Sequence, residues 1–294
     1  MLFQAYNLTI DSDFDLELPM ASKRVKDFCF KPEEIPSAKG FKTNVFRKGL
    51  QANIIIENEQ LILDWPTIGK FKASKGEILE FQKNTNDDDV FRLFATSEAL
   101  GLILQQRGYF LLHGSAVKVG EKAIVFIGVP GAGKSTTIAA FAKAGYTILS
   151  DDMTAITFDN SGRAAVLPGI PQIKIWEESA RNLDFDPSNL EPAYEGHQKY
   201  IFRQSENSFP DTAIDLDQIV VLQKPYSKKN HEIRLLDVPI ELIKYYPLPQ
   251  QILRGAHLER HFTDSLKIAA QVTVKRVNRP LNYEKLRDFV KTFG

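Results

Sequence analysis

The chain has 294 residues, 43% hydrophobic and 25% charged, which is the composition of a globular protein with a buried core and the size of one large domain or two ordinary ones. Its 37 basic and 37 acidic residues cancel, so there is no polyanion-binding charge excess and no reason to expect nucleic acid as a partner. The lone cysteine, Cys29, excludes an internal disulfide, the opening "MLFQAYNLTIDSDFDLELP" lacks a signal-peptide pattern, and no apolar run approaches the ~18 residues of a membrane span, so a soluble cytoplasmic protein with no membrane partner is expected.

Residues 1–93 alternate between apolar and polar in "LTIDSDFDLEL", "ANIIIENEQLILDW" and "EILEFQK", which predicts a β-rich N-terminal lobe. "NTNDDD" reads as a solvated loop in which Asp87, Asp88 and Asp89 punctuate the chain rather than hold a metal. From residue 94 the texture changes, and 94–294 reads as an α/β unit. "TSEALGLILQQRG" predicts a helix with Thr96 or Ser97 as N-cap and Gly108 as its stop. "YFLLHGSAVKVGEKAIVFIGV" predicts two strands around the turn "VGEK", "KSTTIAAFAKAG" a helix closed by Gly145, and "YTILSDD" a short buried strand ending on two carboxylates. "MTAITFD", "AAVLPG", "QIKIW" and "IDLDQIVVLQK" read as further strands, and the tail as helix "TDSLKIAAQ", strand "VTVKRVN" and helix "NYEKLRDFVKTF".

Gly128, Gly133, Lys134 and Ser135 fit the phosphate-loop pattern G-x-x-x-x-G-K-[ST], with an apolar strand entering and a helix leaving. Glycines let successive backbone N–H groups converge on phosphate oxygens, and the positive end of the helix adds to that field. The stretch containing Gly128, Pro130, Gly131, Ala132, Gly133, Lys134, Ser135 and Thr136 is therefore the expected nucleotide cradle. Lys134 is expected on the β/γ-phosphates and the Ser135 hydroxyl on Mg²⁺, so ATP and Mg²⁺ are the expected cofactors.

Asp151 and Asp152 follow one helix and one strand later, which puts them at the carboxyl edge of the sheet beside the loop. One carboxylate there holds Mg²⁺ and the other takes a proton from an attacking hydroxyl; which does which is open. His113, in "LLHGSAV", reads on its own as a hydrogen-bonded histidine at a strand end.

Together, a histidine, a short hairpin, "GVPGAGKS", a helix ending in "AGY" and "ILSDD" resemble the catalytic domain of HPr kinase/phosphorylase over about residues 109–158. The resemblance implies the α/β P-loop kinase fold related to phosphoenolpyruvate carboxykinase, preceded here by the β-rich lobe. It implies that His113, Lys134, Ser135, Asp151 and Asp152 surround the transferred phosphate. Thr136 stands where that family usually has Glu, and Val166 and Pro168 stand where its phosphorylase signature has an acidic residue and an arginine. Reverse phosphorolysis is therefore not implied. Through the "LHGSAV", "GAGKST" and "DD" blocks and "PGIPQIKIW", the chain is more similar to the HPr-kinase-like proteins that accompany peptide biosynthesis, lasso-peptide kinases among them. That branch implies transfer to a serine hydroxyl of a peptide or small protein, and is compatible with a homo-oligomer.

Two other readings fit the loop: a small-molecule kinase, and a nucleotide-binding interaction protein without catalysis. Lys174, Lys199 and Arg203 read as surface cations, and Trp176 as a core residue.

Overall fold

Period-two alternation in the first 83 residues becomes sheet because each strand buries one face and wets the other. The computed structural model describes residues 1–193, 198–206, 209–224 and 229–294, and the chain divides into two compact units, residues 1–111 with 247–259 and residues 112–246 with 260–294. It is a mixed α/β protein with several sheets.

The first unit holds strands β1 (Leu2–Ala5), β2 (Leu8–Ser12), β3 (Phe28–Pro32), β4 (Phe41–Arg47), β5 (Leu50–Glu57), β6 (Gln60–Trp65), β7 (Gly69–Ser74) and β8 (Ile78–Lys83) in the order β1-β2-β3-β8-β7-β6-β5-β4. Helices α1 (Asp88–Phe94) and α2 (Leu100–Gln106) follow, joined by a π-helical turn, Ala95–Ala99. Aromatic rings fill this core: Phe30 lies 4.5 Å from Phe81, Phe71 5.1 Å from Phe91, and Trp65 5.0 Å from Phe94, between ring centroids.

Two local expectations are corrected here. "NTNDDD" is not all loop: Asp87 caps α1 by accepting from the Val90 N–H at 2.9 Å, and Asp88 and Asp89 fill the first turn, where carboxylates favour the helix dipole. Thr96 and Ser97 are not N-caps. Their hydroxyls donate back to the carbonyls of Arg92 and Leu93, at 2.8 and 2.7 Å, inside the distorted stretch that links the two helices.

Strand β9 (Phe110–Leu112) precedes the second unit's own elements. These are β10 (Gly114–Val119), β11 (Lys122–Ile127), α3 (Lys134–Lys143), β12 (Ile148–Ser150), β13 (Thr154–Phe158), β14 (Ala164–Leu167), β15 (Gln172–Trp176), α4 (Glu177–Asn182), β16 (Leu190–Pro192), β17 (Lys199–Arg203), β18 (Ile214–Gln223), β19 (His231–Glu232) and α5 (Val238–Leu242). Helix α6 (Ala256–Gln271), β20 (Thr273–Asn278) and α7 (Tyr283–Lys291) close the chain.

The large sheet runs β12-β10-β11-β18-β14-β13, with β20 also on β18. Its register fixes one functional edge. Gly114 of β10 lies opposite Ile127 of β11, Ile127 pairs with Val221 of the parallel β18, and Gln223 pairs with Asn278 of the parallel β20. Ser150 at the end of β12 faces Ala116 near the start of β10. The carboxyl ends of β11, β12, β18 and β20 therefore share an edge, the place where open α/β sheets collect ligands. Strands β15, β17 and β16 form a separate small sheet. Phe126, Ile138, Phe141, Ile173, Ile175, Leu286 and Val290 join strands and helices in one buried core. Among the described residues, no helix is long and apolar enough to cross a membrane.

Candidate functional site

The glycine loop bridges β11 and α3 at that edge. Its crest, Val129, Pro130 and Gly131, is exposed, while Gly128 and Ala132 are buried. A Cβ on Gly128 would sit 2.9 Å from the Leu222 carbonyl oxygen, so a side chain there would push the loop off β18. Gly133 caps α3 with a φ of 90°, in the left-handed region that glycine tolerates best. The Ala132 N–H is spent inside the loop, donating to the Val129 carbonyl at 3.0 Å. The first-turn amides of Lys134, Ser135 and Thr136 precede the first i→i−4 bond, made by the Thr137 N–H to the Gly133 carbonyl at 2.9 Å. The Thr136 hydroxyl points elsewhere, 3.0 Å from Ser179 Oγ.

Lys134 Nζ donates to the Gly128 carbonyl at 2.7 Å, folding the ammonium back over its own loop. Burial lowers its proton affinity, and the charges of Asp152 and Asp151 oppose that fall. The loop lysine and both carboxylates thus act on one another electrostatically.

Asp151 and Asp152 follow β12 directly. Asp151 is gripped on both oxygens: Oδ1 accepts from Ser115 Oγ at 2.7 Å and Oδ2 from the Lys174 N–H at 3.0 Å. Burial, and then the charge of Asp152, raise its pKa above the usual carboxylate range, against those two hydrogen bonds. Asp152 has a φ of 65°, and the Met153 N–H closes a three-residue turn around it onto the Asp151 carbonyl at 2.8 Å. A non-glycine residue at positive φ in so tight a turn carries strain, which protein sites hold where it orients a side chain. Lys174 Nζ pairs with Asp152 Oδ2 at 2.9 Å; the lysine side chain is 15% exposed and the aspartate 39%.

Lys174 reaches this place because the Gly169 N–H bonds the Leu149 carbonyl at 2.7 Å, bringing β15 alongside β12. Within β15, Ile173 and Ile175 are buried in the core, and Lys174 alternates onto the other side of the strand. The surface-cation reading of Lys174 is corrected accordingly: it is mostly buried and bridges both aspartates, one through its amide and one through its ammonium. Trp176 is corrected in the opposite sense. It is 45% exposed rather than core, with Lys199 Nζ 4.5 Å over its ring. Arg203 pairs with Glu191 at 3.0 Å on the surface.

His113 precedes β10, and its N–H donates to the Tyr245 carbonyl at 2.5 Å. Ser135 is half-buried in the first turn of α3. Ser115 has no role in the sequence expectations, and Lys174 figures there only as a surface cation. The alternation in "QIKIW" was the available signal for Lys174, since a lysine between two core isoleucines is fixed on one strand face.

The fit to a metal–polyphosphate rests on donor chemistry. Among the described residues no group of three or more His, Cys, Asp or Glu side chains forms a metal cage. Mg²⁺ does not need one: it is commonly held by one or two carboxylates plus substrate phosphates, which Asp151, Asp152 and the loop can provide together.

No protein-family model matches the chain. No curated protein matches it either. Among solved structures, it is similar to the Hpr(Ser) kinase/phosphatase from Coxiella burnetii, with 10% identity over 62% of this chain and 87% of that one, and a TM-score of 0.33.

Proposed function

We propose that this protein is an ATP- and Mg²⁺-dependent phosphotransferase that phosphorylates a hydroxyl, a serine of a peptide or small protein being the acceptor. The observation that carries the reading is the placement of the glycine loop after β11 and of Asp151 and Asp152 after β12, on the carboxyl edge that those strands share. The identity of the acceptor rests on the sequence resemblance around "LHGSAV", "GAGKST" and "DD".

In this reading the amides of Gly133 to Thr136 and the Lys134 ammonium bind the polyphosphate, and nucleotide displaces Lys134 from the Gly128 carbonyl. Ser135 and Asp151 would hold the metal. Mg²⁺, when bound, neutralises charge developing across the transferring group. Asp152, the more open of the pair and aimed by Lys174, orients the acceptor hydroxyl and takes its proton. His113, which directly precedes β10, steadies the transferring group. Catalysis is then positioning plus charge compensation.

Asp152→Asn should lower transfer by roughly 10²–10⁴-fold while nucleotide still binds. Asp151→Asn should weaken the Mg²⁺ dependence of that binding. Mass spectrometry after incubation with Mg²⁺ and ATP reads the product: phosphate on a peptide serine supports the proposal, and phosphate on a metabolite moves it to a small-molecule kinase. Full activity in both variants would remove the carboxylate assignment.

A further inference from the structure

Arg279 follows β20 directly and lies across the end of β18, where its N–H bonds the Gln223 carbonyl at 3.2 Å. Only 8% of the residue is exposed. Its side chain lies flat against the glycine that starts α3. A Cβ placed on Gly133 would come within 2.6 Å of Arg279 Cδ, 2.6 Å of Nε and 2.9 Å of Cζ. Gly133 is thus required twice over, once for its positive φ and once for the room the guanidinium occupies.

Among the described residues this buried cation lacks an anion. Its Nε is buried without a hydrogen-bond partner among the described residues. Burial lowers its proton affinity, Tyr283 opposing, yet a guanidinium keeps its charge. Tyr283, which acts on it, approaches the Ser179 hydroxyl at 3.4 Å, and Ser179 meets Thr136 at 3.0 Å. A desolvated charge without a counter-ion destabilises a fold, so the position is costly in the absence of a ligand. The chemistry that satisfies it is an anion with several oxygens, at the same point where the first-turn amides of α3 converge.

We propose that Arg279 is a ligand for the polyphosphate of the bound nucleotide, its guanidinium donating to a phosphate oxygen from the β20 side of the loop, opposite the aspartate pair. The proposal rests on the reading of residues 128–135 as a polyphosphate site. It adds a second cation to Lys134 and assigns the two flanks of the loop different work. Asp151 and Asp152 on the β12 flank handle metal and acceptor. Arg279 on the β20 flank, with Lys224 near the crest, its Cε 3.9 Å from a Cβ built on Gly131, handles phosphate charge.

The test uses the full chain with Arg279→Met, and measures ATP affinity by calorimetry and the melting temperature without ligand. If Arg279 binds phosphate, Arg279→Met weakens ATP roughly ten- to hundred-fold, the loss expected for a charge-assisted hydrogen bond. The same variant melts at the same temperature or higher without ligand, because an unpaired buried charge has gone. ATP affinity within threefold of wild type, or a fall in ligand-free melting temperature with unchanged affinity, overturns the proposal and leaves Arg279 a packing residue. Should Arg279→Met fail to fold, Arg279→Gln decides by the same affinity threshold, since glutamine keeps a polar donor but not the charge. Lys134→Met separates the two readings. Absence of ATP binding by the wild type, or wild-type affinity in Lys134→Met, brings down the loop reading itself. Loss in Lys134→Met with retention in the Arg279 variants brings down only the Arg279 assignment.

Discussion

At the scale of single residues, the aspartate pair is arranged by Lys174. Its backbone amide fixes Asp151 and its ammonium fixes Asp152, so one residue of β15 sets the orientation of two carboxylates on a strained turn. Lys174→Met keeps the amide and removes the ammonium. The expected outcome is nucleotide affinity within about threefold of wild type and transfer slowed roughly ten- to hundred-fold, the scale of a misplaced proton acceptor. The pH profile supplies the sign. The Lys174 charge favours the ionised form of Asp151, so its removal raises that proton affinity and moves the acid limb of the rate profile to higher pH. An unmoved acid limb would mean that Lys174 only packs. Little of this was legible beforehand. The glycine loop and the "DD" pair stand out because they are local patterns, whereas Lys174 joins them only through the Gly169–Leu149 hydrogen bond and Arg279 only through the pairing of β18 with β20. Contacts made by strand order leave no mark in a short window of sequence.

At the scale of elements, period and caps carried most of the information. The apolar strand, glycine loop and helix of residues 122–143 follow from alternation giving way to helical spacing, and Asn282 caps α7 by accepting from the Glu284 and Lys285 amides at 2.8 and 3.1 Å. The stretch at residues 88–106 was misjudged because Thr96 and Ser97 have cap chemistry but use it on carbonyls one turn back. Helix α6 carries a titratable group with no place in the proposed chemistry. His261 is buried, its ring edge-on to Tyr246 at 5.9 Å, and burial lowers its pKa to about 4, opposed by Asp264. The folded pKa lies below the unfolded value, so His261 favours folding fully above about pH 6.5 and progressively less as pH falls towards 4. Between those limits the protein should lose on the order of 3 kcal/mol through this group, and His261→Gln should flatten the dependence. Denaturant midpoints at pH 7 and pH 5 check it; equal pH slopes in the two proteins would show that His261 is not the sensor.

At the scale of the molecule, each unit holds its own core. Phe30, Phe71, Phe81, Phe91 and Trp65 cluster in the first, and Phe126, Phe141, Ile173, Ile175 and Leu286 in the second. Loop, aspartate pair, Lys174 and Arg279 all belong to the second. A ligand that binds only a folded state stabilises it by RT ln(1 + [L]/Kd), about 2.7 kcal/mol at a hundredfold excess over Kd. Amides that exchange only when the second unit opens should therefore slow roughly hundredfold on addition of Mg²⁺ and ATP, those of β11, β18 and β20 among them. Amides of β5, β6 and β7 should keep their ligand-free rates, because the whole nucleotide site belongs to the second unit. Hydrogen exchange read by mass spectrometry over both sets decides it. Equal slowing in the two units would mean that they open as one cooperative body, and slowing confined to the first would place the nucleotide away from the glycine loop.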